Sequence, residues 1–271
     1  MKRYSLAIAF IVLIFSSCGP NVAVTAMNPA KEGASAVKPP LVCQPGQVKV
    51  TRPSRVLFIV DQSGSNLNGP FENPAKGTDP QKTFRTTVMN DFVSTNKDKA
   101  HVSWGLTVFN GSSAQSLVSA DSKEVPFSNV ADFGSALDLF KARKDSGDTP
   151  YKAALKKALQ YVATDLISAP KNTAYLIAFI TDGFPTDYCP GFSNNCPGQV
   201  EEHLIDADVR KISKLNKNVK FSTVYYGEPN GEATARLQRM ADAGNGQFVD
   251  SNVSSKIDLN DIIEIEQEVC Q

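Results

Sequence analysis

The sequence predicts an α/β fold, a doubly wound and mainly parallel sheet with helices on both faces. Residues 56–60 and 174–181 are continuous apolar runs, which is typical of strands that are covered on both sides. Between them, the segment 151–167 repeats leucine and valine at helical spacing and places lysines on the other side, so it predicts a helix lying on that sheet. In such a fold, ligands bind beyond the carboxyl ends of the strands.

The other elements follow from the same two periodicities. Strands are also expected at 102–109, 221–226 and 247–249, and helices at 82–96, 130–141, 200–217, 232–243 and 259–267. Gly244, Asn245 and Gly246 end the helix at 243, because these residue types suit the backbone at a helix C-terminus. No internal repeat and no break divides 43–271, which is therefore predicted to be one domain.

Composition narrows the class of protein. The 271 residues include 28 basic and 28 acidic side chains, and 41% of them are hydrophobic. These figures exclude collagen-like, coiled-coil and wholly disordered chains. The neutral balance gives no basic face for phosphates, so no nucleic-acid partner is expected.

The N-terminus has the pattern of an export signal. Two basic residues precede the apolar run 6–15, which is too short to cross a bilayer as a helix of about 20 residues. Residues 15–18, Phe-Ser-Ser-Cys, resemble the lipobox of bacterial lipoproteins, which implies a signal peptide at 1–17 and lipidation (palmitate) of Cys18. Ordinary cleavage after Ala26 is the alternative. Both predict an exported protein, and Gly19 is compatible with a lipoprotein of the outer membrane.

The segment 18–42 is predicted to be a flexible, lipidated tether, because it is rich in Ala, Pro, Lys and Ser and has no apolar periodicity. Four cysteines remain after Cys18, and an even number in an oxidising compartment predicts two disulfides.

Oxygen-bearing side chains stand where strands end or helices begin. Asp61, Ser63 and Ser65 follow the first strong strand, Thr149 precedes a helix that starts with a proline, and Asp182 closes the strand 174–181. A doubly wound fold brings these positions to one edge of the sheet. Carboxylates and hydroxyls are hard oxygen ligands, so the arrangement predicts a divalent-cation site.

These residues resemble the von Willebrand factor type A domain over about 55–265. The metal-ion-dependent adhesion site (MIDAS) of that family combines D-x-S-x-S with a later threonine and a later aspartate, here Asp61, Ser63, Ser65, Thr149 and Asp182. The resemblance implies a Rossmann-like fold and a magnesium ion held by the hydroxyls, with the carboxylates often acting through water. It also implies that a partner protein completes the shell with a carboxylate oxygen.

The donor set favours Mg²⁺. Mn²⁺ also fits an all-oxygen set, Ca²⁺ fits less neatly, and Zn²⁺ is not expected because no thiolate or histidine cluster accompanies the site. Taken singly, each residue is explained as well by a helix cap or a turn, and only the five in order favour a metal. Asp145, Asp148 and Asp187 are interpreted first as solvated loop residues, with the alternative that they raise the cation affinity or repel an acidic partner.

The cysteine pairing is predicted from topology. Cys189 and Cys196 both follow Asp182, whereas Cys43 precedes the first strand and Cys270 follows a predicted last helix that returns to the same end. The expected disulfides are therefore Cys43–Cys270 and Cys189–Cys196.

Two long connections border the predicted site. They are residues 66–81 and 183–199, and the second contains Phe184, Tyr188 and Phe192. These aromatic side chains either anchor a partner or fold back over the disulfide, and the sequence leaves both readings open.

The functional prediction is an exported, lipid-anchored binding module that captures a protein or peptide carboxylate through the cation and catalyses no reaction. Its contact with the membrane is through the N-terminal lipid only. One alternative is a structural envelope component whose metal only stabilises the domain. The other is a magnesium-dependent phosphohydrolase with Asp61 as nucleophile, which is disfavoured because Ser63 stands where such enzymes place a second acid.

Overall fold

The fold is built around the two faces of a central sheet. The computed structural model describes residues 41–67, 77–99, 101–189, 199–254, 256–266 and 268–270. The strands are, in chain order, β1 (Lys49–Thr51), β2 (Ser54–Asp61), β3 (Val102–Asn110), β4 (Ser113–Ser116), β5 (Ser119–Ala120), β6 (Lys123–Glu124), β7 (Ala174–Thr181), β8 (Val219–Tyr225), β9 (Asn245–Asp250) and β10 (Glu268–Cys270). The α-helices are α1 (Thr83–Asn96), α2 (Val130–Ala142), α3 (Tyr151–Asp165), α4 (Glu202–Ser213) and α5 (Gly231–Ala243). Leu41–Gln271 forms one compact unit.

The central sheet has the order β4-β3-β2-β7-β8-β9. In this sheet, β3, β2, β7, β8 and β9 run parallel to one another, and the edge strand β4 is antiparallel to β3. The predicted mainly parallel sheet is confirmed. The sequence did not reveal β4, because Ser-Ala-Gln-Ser has no apolar run that would indicate a strand.

The helices cover both faces, as predicted. In β2, Val56, Phe58 and Val60 pack against α1 and α2, while Leu57 and Ile59 pack against the layer of α3, α4 and α5. This division follows from the alternation of side chains along a strand. Because both faces are covered, the sequence of β2 reads as one unbroken apolar run.

The predicted last helix at 259–267 is wrong. Residues Leu259–Asp261 form a single 3-10 turn, residues 263–266 have no regular secondary structure, and β10 pairs antiparallel with β1. Ile262, Ile263 and Ile265 are buried in this segment. β-Branched side chains lower helix propensity, and burial in the core outweighs local preference here.

The disulfide Cys43–Cys270 is confirmed, with a Cα–Cα distance of 5.4 Å. The reason differs from the predicted one, because the strand pair β1–β10 brings the two cysteines together, with Lys49 opposite Cys270. An ion pair between Arg52 and Glu266 lies beside this pair of strands.

Several predictions concern residues that the structure does not describe. The signal peptide at 1–17, the lipidation of Cys18 and the tether up to residue 40 lie outside the described residues, as do Cys196 and Phe192. The Cys189–Cys196 pairing therefore stays a prediction. Among the helices that are described, none is long and apolar enough to span a membrane.

Candidate metal centre

The parallel pairing of β2 and β7 sets the position of the candidate site. Val60 lies opposite Ile180, so Asp61 at the end of β2 and Asp182 just after β7 reach the same edge of the sheet. Thr149 lies two residues before α3, which begins at Tyr151. The structure thus delivers the predicted residues to one edge from three separate segments.

Ser65 lies at the centre of the group. Its Oγ is 3.0 Å from Ser63 Oγ and donates a hydrogen bond to Asp182 Oδ1 at 3.0 Å. The hydroxyl of Ser65 therefore joins the loop after β2 to the residue after β7. Asp61, Ser63, Thr149 and Asp182 are all buried, and Ser65 is partly exposed.

Thr149 completes the group through the backbone of Gly183. A Cβ added to Gly183 would lie 3.6 Å from Thr149 Oγ1 and 3.8 Å from Ser65 Oγ, so the two hydroxyls flank this glycine. The loop of Thr149 is tied to the loop after β2, since Gly64 N donates to Gly147 O at 2.8 Å. All five predicted residues are thus brought together.

Gly147 has a backbone that requires glycine. Its φ is +75°, and a Cβ there would lie 2.9 Å from the Cα of Gly111. A larger residue would push the Thr149 loop away from β3 and from the site.

The carboxylate of Asp61 is held from two sides. Its Oδ1 accepts a hydrogen bond from Ser63 N at 2.8 Å, and its Oδ2 accepts one from Thr181 Oγ1 at 2.6 Å. The Tyr151 hydroxyl lies 3.3 Å from Thr181 Oγ1 and donates to Gly183 O at 2.7 Å. Sequence reasoning missed Thr181 and Tyr151, and the only available signal was their adjacency to Asp182 and Thr149.

Burial and, to a lesser degree, the nearby charge of Asp182 raise the pKa of Asp61 to about 7, while the hydrogen bonds from Ser63 and Thr181 oppose that rise. Burial also raises the pKa of Asp182, while the hydroxyls of Thr78 and Ser65 lower it. The Oδ2 atom of Asp182 is buried and has no hydrogen-bond partner among the described residues. A buried carboxylate oxygen without a partner is costly, and a cation beside it would remove that cost.

A second ionic group lies beside the site, which we call the Arg85 cluster (Asp79, Lys82, Arg85 and Asp145). The Arg85 guanidinium is fully buried and pairs with Asp79 at 3.0 Å and Asp145 at 2.7 Å. Lys82 Nζ lies 3.3 Å from Asp145 and also donates to the carbonyls of Phe140 and Arg143 at the end of α2.

The interpretation of Asp145 as a solvated residue is wrong, because its side chain is buried by these two cations. Asp187 is half-buried and accepts hydrogen bonds from Lys152 N and Ala153 N, so it caps α3. Asp148 is exposed, as predicted.

The buried charges at this edge do not balance within the described residues. Four acidic side chains (Asp61, Asp79, Asp145 and Asp182) face two cations (Lys82 and Arg85), and both cations pair with Asp79 and Asp145, so the ionised forms of Asp61 and Asp182 have no paired cation there. A divalent cation would neutralise them. No group of three or more His, Cys, Asp or Glu in the described chain is placed to hold a metal. The candidate set is of another kind, two carboxylates and three hydroxyls, and it fits a hard cation.

In the loop after Asp182, two aromatic residues differ in their exposure, which bears on whether they anchor a partner or fold back onto the protein. Tyr188 is 1% exposed, packs in the core with α3 and α4, and donates to Asp208 Oδ2 at 2.6 Å, so its prediction as a partner anchor is wrong. Phe184 is 37% exposed and stacks against the guanidinium of Arg236 at 4.8 Å. The structure leaves Phe184 available at the site edge.

Solved structures share this fold at low identity. The manganese-loaded TRAP protein of Plasmodium vivax has 17% identity and a TM-score of 0.52, with 83% of this chain and 78% of that chain covered. The pilus adhesin SpaC of Lactobacillus rhamnosus GG has 13% identity and a TM-score of 0.51, and the PilB minor pilin of Streptococcus sanguinis has 16% and 0.51. These alignments cover 73% and 74% of this chain but only 28% and 57% of the two pilus proteins.

A search of curated proteins finds no match. The sequence model of the von Willebrand factor type A domain matches residues 56–265, which is most of the chain and spans every residue of the candidate site. The chain therefore belongs to the von Willebrand factor type A domain family.

Proposed function

We propose that the protein is a binding module that holds a divalent cation, with Mg²⁺ the preferred ion and Mn²⁺ or Ca²⁺ as substitutes, and uses it to capture a carboxylate of a protein or peptide. The observation that carries the proposal is the convergence on Ser65. Its hydroxyl contacts both Ser63 and Asp182, beside two buried carboxyls that form no ion pair with any cation in the described part of the chain.

The residues of the proposed site have two roles, binding the cation and balancing its charge. The hydroxyls of Ser63, Ser65 and Thr149 are neutral donors, so they bind the cation without reducing its charge. Asp61 and Asp182 balance that charge, and Asp61 is oriented by Ser63 N and Thr181 Oγ1. When bound, the ion supplies a positively charged position for a partner's carboxylate oxygen.

Related folds support a role in adhesion. The neighbours include a manganese-loaded protein, a pilus adhesin and a minor pilin. At this chain's site, the exposed ring of Phe184 would contact the apolar part of a partner next to its carboxylate. The connections 66–81 and 183–199 would add specificity, with the second closed by Cys189–Cys196.

Export to the cell envelope is part of the proposal. The Cys43–Cys270 disulfide is typical of an oxidising compartment, and the N-terminal pattern favours a lipid on Cys18 and an outer-membrane lipoprotein with 18–42 as its tether. Cys43 precedes β1 and is bonded to Cys270, so the disulfide joins the two ends of the domain.

Hydrolysis by Asp61 has little support. Both oxygens of its fully buried carboxylate are hydrogen-bonded, and the residue two positions later is Ser63 rather than an acid. A nucleophile needs access to its substrate and a partner that moves the proton. We therefore propose binding without turnover.

The metal site is tested by calorimetry of Mg²⁺ and Mn²⁺ binding to the wild type and to the Asp61→Ala/Ser63→Ala double variant. We expect binding that the double variant abolishes and that Asp148→Ala, which removes an exposed acid nearby, leaves unchanged. Equal affinity in all three proteins would remove the proposed site.

Partner capture is tested by passing envelope extracts over the immobilised domain in magnesium or in a chelator. We expect a partner that is retained only in magnesium and only by the wild type. If chelation lowers the melting temperature but retention is unaffected, the metal has only the structural role of the alternative hypothesis.

A further inference from the structure

We infer that Arg85 is a positioning residue for the cation site. It sets the metal affinity by holding two of the metal-binding loops in place from the buried side of the site. The inference rests on the proposed function, because it concerns the affinity of that site. Arg85 lies on α1 and has no exposed surface, so it cannot touch the cation's partner.

The first contact of Arg85 is with the loop after β2. Its Nη1 donates to the main-chain oxygen of Asp61 at 2.6 Å. The same guanidinium donates to the Asp79 carboxylate through Nε at 3.0 Å and to the Asp79 carbonyl through Nη2 at 2.9 Å. Arg85 therefore fixes the place where β2 ends and the D-x-S-x-S segment begins.

The second contact is with the loop that carries Thr149. Arg85 Nη2 donates to Asp145 Oδ2 at 2.7 Å, four residues before Thr149. The next residue, Ser146, donates its N–H to the Gln62 carbonyl at 3.0 Å. Two of the three segments that supply the metal-binding oxygens thus share one guanidinium.

A third link runs through an aromatic ring. The Arg85 guanidinium lies 5.7 Å from the ring centre of Tyr226, whose hydroxyl donates to Asn66 Oδ1 at 2.6 Å. Asn66 follows Ser65 directly, and its amide also reaches Asp61 Oδ1 at 3.4 Å. The packing around Arg85 thus extends to the far end of the D-x-S-x-S segment.

These contacts need the shape of arginine. The guanidinium is a rigid, planar fork with five N–H donors, and here it reaches three residues in different directions. A lysine keeps the charge but has one nitrogen, so it cannot hold Asp61, Asp79 and Asp145 at the same time.

Positioning and simple electrostatics predict opposite results. If Arg85 acted only by its charge, its removal would strengthen cation binding, because a positive charge near the site would be lost. If Arg85 positions the loops, its removal weakens binding. Outer residues that orient metal ligands contribute about 10- to 100-fold in affinity.

The test is Mn²⁺ and Mg²⁺ affinity by calorimetry, with the electron paramagnetic resonance spectrum of bound Mn²⁺ as a second readout. For Arg85→Lys we expect affinity to fall about 10-fold or more and the Mn²⁺ spectrum to broaden. Arg55→Lys is the matched control, since Arg55 pairs with Asp165 at the start of β2 and should change neither readout.

A second variant addresses folding. Arg85→Met/Asp145→Leu removes one charge of each sign, so the net charge of the site is kept, and replacement of a buried ion pair by apolar residues is often tolerated. We expect the same loss of affinity in this variant. Unchanged affinity and spectra in both Arg85 variants would overturn the inference, whereas a wild type that binds no metal would instead overturn the proposed function.

Discussion

Two pairs of buried acidic side chains lie side by side at the carboxyl edge of the sheet, and the two pairs differ in the groups that they contact. Asp79 and Asp145 each contact a buried cation, with Arg85 between them and Lys82 against Asp145. Asp61 and Asp182 receive hydrogen bonds from hydroxyls and a backbone N–H, and among the residues that the structure describes they form no ion pair. Equal burial thus leads to opposite roles, one pair holding the fold together and the other open to an external ion.

The difference has an energetic meaning. A buried ion pair that is broken on one side leaves an uncompensated charge, which is strongly destabilising. A buried carboxylate without a cation is destabilising until an ion arrives, so its cost becomes binding energy for that ion.

The largest effect is expected from Asp145→Asn in a chelator. It leaves Arg85 and Lys82 with one acid, and we expect the free energy of unfolding to fall by about 3–5 kcal/mol. Asp182→Asn, at the other pair, should raise that free energy, because it removes one of two neighbouring like charges. Urea unfolding followed through the fluorescence of the single, buried Trp104 measures both. Equal losses in the two variants would contradict the division.

Magnesium should act on one pair only. At a concentration of 100 times its dissociation constant, we expect it to stabilise the wild type by about 2.7 kcal/mol. Asp182→Asn should gain almost nothing, whereas Asp148→Asn, an exposed control, should gain as much as the wild type. The measurement is the same urea titration with and without magnesium. A gain in Asp182→Asn equal to that of the wild type would place the ion elsewhere.

The pH dependence without metal follows from the pKa of Asp61, which rises from 3.8 to about 7 on folding. Between these values the folded protein keeps a proton that the unfolded chain has lost, so stability falls as the pH rises. We expect a slope of at most about 1.4 kcal/mol per pH unit from pH 5 to 7 in chelator. Asp61→Asn should reduce the slope. Saturating magnesium should abolish it, because the ion favours the ionised carboxylate. If the stability of the metal-free protein instead rises with pH over this range, this assignment is contradicted.

The smallest effect compares two buried tyrosines. Tyr151→Phe removes the hydrogen bond to Gly183 beside Thr149, and Tyr188→Phe removes the one to Asp208 on α4. Each should cost about 1 kcal/mol of stability. Only Tyr151→Phe should also weaken magnesium binding, by a few-fold, since Gly183 lies between two of the hydroxyls proposed to bind the metal. Calorimetry measures the magnesium affinity of both variants. Equal affinity in the two would show that Tyr151 has no role at the site.

Local sequence was informative where one pattern controls the outcome. The strands β2 and β7 are unbroken apolar runs because both sheet faces are covered, and their ends therefore indicated the positions of Asp61 and Asp182. Thr149 was found from the start of α3. These features need no knowledge of distant contacts, since parallel strands carry their carboxyl ends to one edge.

Tertiary contacts decided what the sequence did not reveal. Arg85 stands on a helix where an arginine is ordinarily a surface residue, and only the fold places Asp79 and Asp145 against it. Tyr188 lies in a long loop but packs into the core. The segment after Asp261 is not a helix, because the core buries its isoleucines and the chain ends in a strand that pairs with β1.

The central claim is that five side chains bind one divalent cation. It is tested most directly by anomalous X-ray diffraction from crystals of residues 43–271 grown with Mn²⁺. We expect one strong manganese peak in direct contact with the hydroxyl oxygens of Ser63 and Ser65, with Thr149, Asp61 and Asp182 around it. A map with full manganese occupancy elsewhere and none beside these two serines would contradict it.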